Sequence, residues 1–130
     1  MTTGLSDFYK HNLWANLRLL DACAQRSDEQ LDATMGGTFG SIRETLMHLF
    51  SSEEGYARHV TGKIPNPPLK EFTTFPGFDE LQRRAKMSGE LLIEAINHGT
   101  DHRSQIATLL SQQGIEPPSL DAWDYNDSMR

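Results

Sequence analysis

The sequence predicts an all-α protein built as a helical bundle. Three segments place their apolar residues three and four positions apart, which is the period of an amphipathic helix. Capping signals precede these segments, and glycine and proline clusters interrupt the chain between them. We find no convincing strand pattern and no internal repeat, so the remaining segments are predicted to be turns and loops.

The first helix is predicted over residues 6–25. Apolar residues recur there at helical spacing, with Trp14 beside them: Leu13, Leu17, Leu20 and Ala24. Residues 27–30 read Ser-Asp-Glu-Gln, a capping box that opens a short turn. A Gly36-Gly37 pair then breaks the chain.

The second helix is predicted over residues 41–61. Ser41 and Glu44 have the spacing of a capping box. The helical spacing continues through Ile42, Leu46, Leu49, Glu53 and Tyr56. Residues 62–78 are predicted to be a loop, since Pro65, Pro67, Pro68 and Pro76 remove backbone donors and restrict backbone angles.

The third helical segment runs over residues 79–113. Asp79 resembles an N-terminal cap, and Gly114 followed by Pro117 and Pro118 ends the pattern. The tail, residues 114–130, is predicted to be an irregular cover that contains Trp123 and Tyr125.

This third segment is long for so small a domain, because a continuous helix would span on the order of 50 Å at about 1.5 Å per residue. One interpretation breaks it near Ser88-Gly89, within residues 88–92, which gives four helices in one chain. The other keeps the helix whole and completes the fold by a swapped or tightly paired dimer. We favour the dimer, since a tight turn needs more than one glycine.

Composition excludes several classes of function. The chain has 130 residues and a formal net charge of -6, so it is predicted to be one domain without the basic surface that nucleic acids require. No apolar run approaches membrane-spanning length and the N-terminus does not resemble a signal peptide, so we expect a cytoplasmic protein. Cys23 is the only cysteine and is expected to be an apolar filler, so any metal must be held by nitrogen and oxygen ligands.

His98 and His102 are the first candidate metal ligands. Residues four apart on a helix share one face, so both imidazoles can reach one ion. Their face continues with Leu92, Ala95, Gln105 and Leu109. Imidazole binds zinc, nickel, iron and copper. The alternative is a pair of partly exposed histidines without a ligand.

His48 is the candidate third ligand. It lies in the second helix beside apolar residues, where its ring nitrogens need partners. One interpretation gives it a hydrogen bond to a backbone carbonyl or to Tyr56. The other makes it a ligand together with His98 and His102, and three nitrogens leave positions open for water or substrate, as in catalytic zinc sites.

The other polar residues are weaker candidates. Glu53 or Glu54 is a possible acid, base or outer-sphere group facing the site. Glu44 and Glu94 stand four residues before His48 and His98, which differs from the Glu-x-x-His spacing of di-iron bundles, and Glu94 is predicted to be a surface carboxylate. His11 and His59 are also predicted to be surface residues, and the HExxH motif of metalloproteases is absent.

Four segments together resemble one known family. Residues 11–16 read His-Asn-Leu-Trp-Ala-Asn and are followed by paired leucines, and residues 46–49 read Leu-Met-His-Leu. Residues 97–105 read Asn-His-Gly-Thr-Asp-His-Arg-Ser-Gln, and residues 113–118 read Gln-Gly-Ile-Glu-Pro-Pro. The chain therefore resembles the DinB/YfiT-like family of metal-binding four-helix proteins over nearly its whole length.

The resemblance implies a four-helix bundle, often dimeric, that binds zinc, nickel, manganese or iron through His48, His98 and His102. Relatives use low-molecular-weight thiols in transfer or isomerisation, and many others are assigned as hydrolases. The chain departs from the family at Asp101, a position that is frequently histidine. It also lacks a substantial connection between the third helix and the signature helix, so either the member is truncated or a segment near residues 88–92 is absent.

We therefore expect a metal-dependent enzyme, a thiol transferase or a hydrolase acting on small electrophiles, with zinc or nickel as the preferred metal. A low-molecular-weight thiol would be the second reactant, and the protein would act as a homodimer. The alternative is a non-catalytic metal-binding or assembly bundle with a structural or vestigial site.

Overall fold

The computed structural model describes residues 4–34, 36–37, 39–63, 67–119, 124 and 127–129, with the backbone alone for 99–101. These residues form four α-helices and no strand, so the all-α prediction is confirmed. The helices are α1 (Leu5–Ala24), α2 (Asp28–Asp32), α3 (Ile42–Thr61) and α4 (Phe78–Gln112). None of the described helices has both the length and the apolar character needed to cross a membrane.

The ends of α2 and α3 follow from local hydrogen bonds. Ser27 and Gln30 form a reciprocal capping box, with both hydrogen bonds at 3.1 Å. Ser41 and Glu44 do the same at the start of α3, at 3.2 and 3.3 Å. At the other end of α3, Gly62 adopts the left-handed conformation with φ 73°, which glycine adopts without a steric penalty. Both capping boxes predicted from the sequence are therefore present.

The start of α4 differs from the prediction by one residue. The helix begins at Phe78, and the Leu81 amide donates to the Gly77 carbonyl oxygen at 3.1 Å. Asp79 is therefore not the cap but lies in the first turn of the helix, together with Glu80. Carboxylates at this end interact favourably with the helix dipole.

The helix α4 runs for 35 residues without a break, as in the favoured interpretation, and the alternative break near Ser88-Gly89 is absent. Gly89 instead lies against α1, since a Cβ atom added at this position would stand 2.9 Å from Leu13 Cδ1. Glycine is needed there for the close approach of two helices rather than to end one.

The core lies among the four helices and contains Leu20, Cys23, Leu31, Leu46, Phe50, Leu81 and Ala85. Leu69 and Phe75 of the loop after α3 pack against it. Cys23 is the apolar filler that the sequence predicts, and burial raises the pKa of its thiol.

The chain divides into two compact units, Met1–Ile96 and Asn97–Arg130, each of which is described by itself. The first unit contains α1, α2, α3 and the first part of α4, and the second contains the remainder of α4. Residues 115–119 of the tail are irregular. Pro65, Trp123 and Tyr125 lie outside the described residues.

Candidate metal centre

His98 and His102 lie together on α4, as their spacing predicts. Their ring centroids are 4.4 Å apart and the rings meet edge to face, with 83° between their planes. Both side chains are exposed within the second unit. Two imidazoles at this separation are able to contribute ligands to the same ion.

Gln105 is a direct partner of His102. The Nδ1 atom of His102 lies 3.1 Å from Gln105 Oε1, one turn further along α4. With the amide oxygen as the acceptor, this contact favours the tautomer that carries its proton on Nδ1. The Nε2 atom then carries the lone pair that a metal needs.

His48 has a different partner from the ones that the sequence suggested. Its Nδ1 atom lies 2.6 Å from Glu71 Oε1, while neither Tyr56 nor a backbone carbonyl is its recorded partner. The ring also stacks on Phe39, with centroids 4.3 Å apart and 17° between the planes. The His48 side chain is 47% exposed and Glu71 is 30% exposed.

The same arrangement therefore recurs at two of the three predicted ligands. In each, an oxygen acceptor holds the Nδ1–H group, which leaves Nε2 as the available nitrogen in the neutral ring. Metal-binding histidines in proteins almost always show such an outer contact. The chemistry of this donor set fits a divalent transition metal that prefers imidazole nitrogen.

The described residues do not contain a ready-made metal site. No three histidine, cysteine, aspartate or glutamate side chains among them are grouped closely enough to hold an ion. His48 belongs to the first unit, and His98 and His102 belong to the second.

A buried carboxylate lies between the helices of the first unit. Glu53 is 7% exposed and accepts hydrogen bonds from Asn16 at 2.8 Å, Ser88 at 2.9 Å and Asn12 at 3.3 Å. These donors come from α1 and α4, so Glu53 joins three helices. The prediction that Glu53 faces the metal site as an acid or base gains no support, because the contacts recorded for its carboxylate are all internal.

Glu54 forms a second buried contact, with Arg84. The two side chains are 3% and 9% exposed, and Arg84 donates to both carboxylate oxygens at 2.9 and 3.1 Å. The same pair holds the loop after α3, since Glu54 accepts from the Leu69 amide at 2.8 Å and Arg84 donates to the Pro67 carbonyl oxygen at 3.0 Å. Every buried polar side-chain atom among the described residues has a partner.

The remaining candidates lie where the sequence predicts them. Glu94, His11 and His59 are exposed, and Glu44 takes part in the cap of α3. Arg84 also contacts Glu80, and the neighbouring Arg83 lowers the pKa of the Glu80 carboxyl to about 2.

Glu71 and Arg84 were missed by the sequence analysis. The burial of Arg84 could have been predicted from the sequence. It lies three residues after Leu81 and four before Ser88, so it shares their helix face, which is buried. Glu71 had no such signal, since it lies in a loop where no periodicity relates it to the helices.

Known proteins provide an independent comparison. The model of the DinB family matches residues 1–86 and 70–129. The protein named DinB from Bacillus subtilis (strain 168) is 25% identical over 159 residues, covering 90% of this chain and 92% of the relative. No solved structure matches the chain significantly.

The alignment is longer than the part of this chain that it covers. It spans 159 positions, whereas 90% of 130 residues is about 117, so about 40 positions of the relative have no counterpart in this chain. The two matches to the family model overlap at residues 70–86. The missing connection near residues 88–92 stays a prediction.

Replacing Arg84 with methionine should destabilise the first unit by about 3–5 kcal/mol, because the Glu54 carboxylate would remain buried without its cation. Urea unfolding followed by circular dichroism measures this change. Adding Glu54→Leu should recover much of the loss, since apolar side chains replace buried ion pairs at little cost.

The matched control is Arg83→Met, which removes an exposed guanidinium from the same helix. It should leave the unfolding midpoint nearly unchanged. Equal destabilisation by the two methionine variants would contradict the importance of the buried pair.

Proposed function

The chain belongs to the DinB family, and from that premise we propose that it binds one divalent transition metal through His48, His98 and His102. Zinc and nickel are the preferred ions, and iron or manganese are the other candidates. The observation that carries the proposal is the shared contact of His48 and His102, whose Nδ1 atoms both lie within hydrogen-bond distance of a side-chain oxygen.

Each proposed ligand has a defined role. His98 and His102 present two imidazoles one helical turn apart, and His48 supplies a third from a different helix. Glu71 and Gln105 hold two of these rings. Three nitrogen ligands leave coordination positions open to water or to a reactant, as in catalytic rather than structural zinc sites.

We further propose that the site is catalytic, in a thiol transferase or a hydrolase acting on small electrophiles. When bound, a divalent metal lowers the pKa of a coordinated water or thiol and so provides a nucleophile near neutral pH. The protein would bind the low-molecular-weight thiol and orient it. The alternative is a bundle that binds metal without catalysis.

A second copy of the chain is the partner that best completes this site. The helix α4 spans on the order of 50 Å. Ile106 and Leu109 near its end are 57% and 54% exposed. The alignment leaves about 40 positions of the relative without a counterpart in this chain, and we propose that they include a connection that returns the last helix to the same bundle. In a swapped homodimer, His48 of one protomer would meet His98 and His102 of its partner.

Substituting His98 with alanine should abolish stoichiometric metal. The protein is purified without chelator and without a histidine tag, and its metal content is measured by elemental analysis. His59→Ala, which removes an exposed histidine of α3, should retain the full metal content. Metal retained by His98→Ala would mean that the proposed ligands are wrong.

The metal-loaded protein should accelerate transfer of mercaptoethanol to monobromobimane, or hydrolysis of p-nitrophenyl acetate. The rate should fall to that of free solution after metal removal, because the metal generates the nucleophile. Fluorescence and absorbance follow the two reactions. A metal-bound protein with no metal-dependent rate in either assay would favour the non-catalytic alternative.

Mixed dimers test whether two chains share each site. His48→Ala and His98→Ala are unfolded together, refolded and separated by affinity tags that are then removed. If each site takes ligands from both chains, the mixed dimer keeps one intact site and binds metal, although each parent binds none. An empty mixed dimer would place the ligands within one chain, and a monomer in light scattering would refute the dimer.

A further inference from the structure

The loop between α3 and α4 contains a residue that contacts a proposed ligand. We propose that Glu71 is the positioning residue that fixes His48 with its proton on Nδ1 and its Nε2 lone pair available to a metal. The relevance of this inference to metal binding rests on the proposed function. The state of the ring is nevertheless a property of the protein alone and can be measured without metal.

The contact itself leaves little freedom to the imidazole. A carboxylate oxygen 2.6 Å from a ring nitrogen is a short, charge-assisted hydrogen bond. A carboxylate only accepts, so the proton between the two atoms is held on Nδ1 of His48. The pair is partly exposed, with 30% of the Glu71 side chain and 47% of the His48 side chain accessible to solvent.

Phe39 supplies a second, independent restraint on the same ring. Its ring lies nearly parallel to that of His48, with 17° between the planes and 4.3 Å between the centroids. The hydrogen bond fixes one edge of the imidazole and the stacking covers one face. Together they select one rotation of the ring, as expected for a ligand held ready before metal binding.

The loop around Glu71 is tied down on both sides. Leu69 and Phe75 pack against the core, and the Leu69 amide donates to the buried Glu54. Between them, Thr73 Oγ1 donates to the Lys70 carbonyl oxygen at 2.6 Å and closes a turn around Glu71. Glu71 therefore lies in a segment of the loop that is held by contacts on both sides.

The residue after Glu71 has an unusual backbone. Phe72 has φ 62°, a left-handed conformation that is unfavourable for a side chain of this size. Its own side chain is 90% exposed, so no burial of Phe72 compensates for the strain. Strained residues persist where the surroundings over-determine them, often beside functional groups. Glu71 directly precedes this strained residue, and its carboxylate contacts His48 of α3.

The decisive measurement is the state of the His48 ring in the metal-free protein. Long-range correlation of ring protons with ring nitrogens in ¹⁵N-labelled protein distinguishes the two neutral forms, and His48→Ala identifies the signal. We expect Nδ1 to be protonated in the wild type. Glu71→Ala should abolish this fixed state, whereas Glu71→Gln, which keeps an acceptor oxygen, should preserve much of it.

Zn²⁺ titration by calorimetry provides the functional readout. Glu71→Ala should weaken Zn²⁺ binding by about 10–100-fold, and Glu71→Gln should lose less, because outer contacts orient metal ligands. Glu29→Gln, which removes an exposed carboxylate of α2, is the control for the change in charge and should bind as the wild type does.

The two proposals fail in different ways. A wild-type protein that binds no Zn²⁺ would refute the metal site, while the ring measurement would still decide the role of Glu71. Unchanged ring signals and unchanged Zn²⁺ affinity in Glu71→Ala would overturn the role of Glu71 and leave the metal site standing.

Discussion

The ion pair between Glu54 and Arg84 connects two helices of the first unit to the loop after α3. Both groups are almost completely buried, so each would be costly without the other. The pair joins α3 to α4, and its remaining hydrogen bonds reach the loop at Leu69 and Pro67. Buried groups therefore hold this loop in place. Glu71 belongs to the same loop, and its carboxylate contacts His48. We therefore propose that this buried pair contributes, through the loop and Glu71, to the orientation of His48.

Much of the fold could be predicted from the sequence because it is determined locally. The bounds of α1 and α3 lie within one residue of those predicted from apolar spacing and capping residues. Gly89 shows where the sequence left two interpretations open. Glycine is compatible with both a helix break and a close helix contact, and only the neighbouring Leu13 distinguishes them. That neighbour is distant in the chain and leaves no local signal.

The residues of the candidate site also differ in how far local sequence determines their contacts. His98 and His102 were found because one helix fixes their relation, and the structure brings their rings together. Glu71 and His48 are 23 residues apart, and their contact depends on a loop whose course follows from buried groups elsewhere. Sequence periodicity carries no information on such a pairing. The proximity of His98 and His102 could thus be predicted and their metal binding stays a prediction, whereas the contact of His48 with Glu71 required the structure.

The apolar spacing of α4 continues along its sequence. Leu81, Ala85, Ser88 and Leu92 are buried, and the same spacing continues as Ala95, His98, His102, Gln105 and Leu109. Leu109 is 54% exposed. We propose that a second copy of the chain covers this end of the helix and brings imidazoles of both chains into one bundle, which is why the metal site and the dimer form a single proposal.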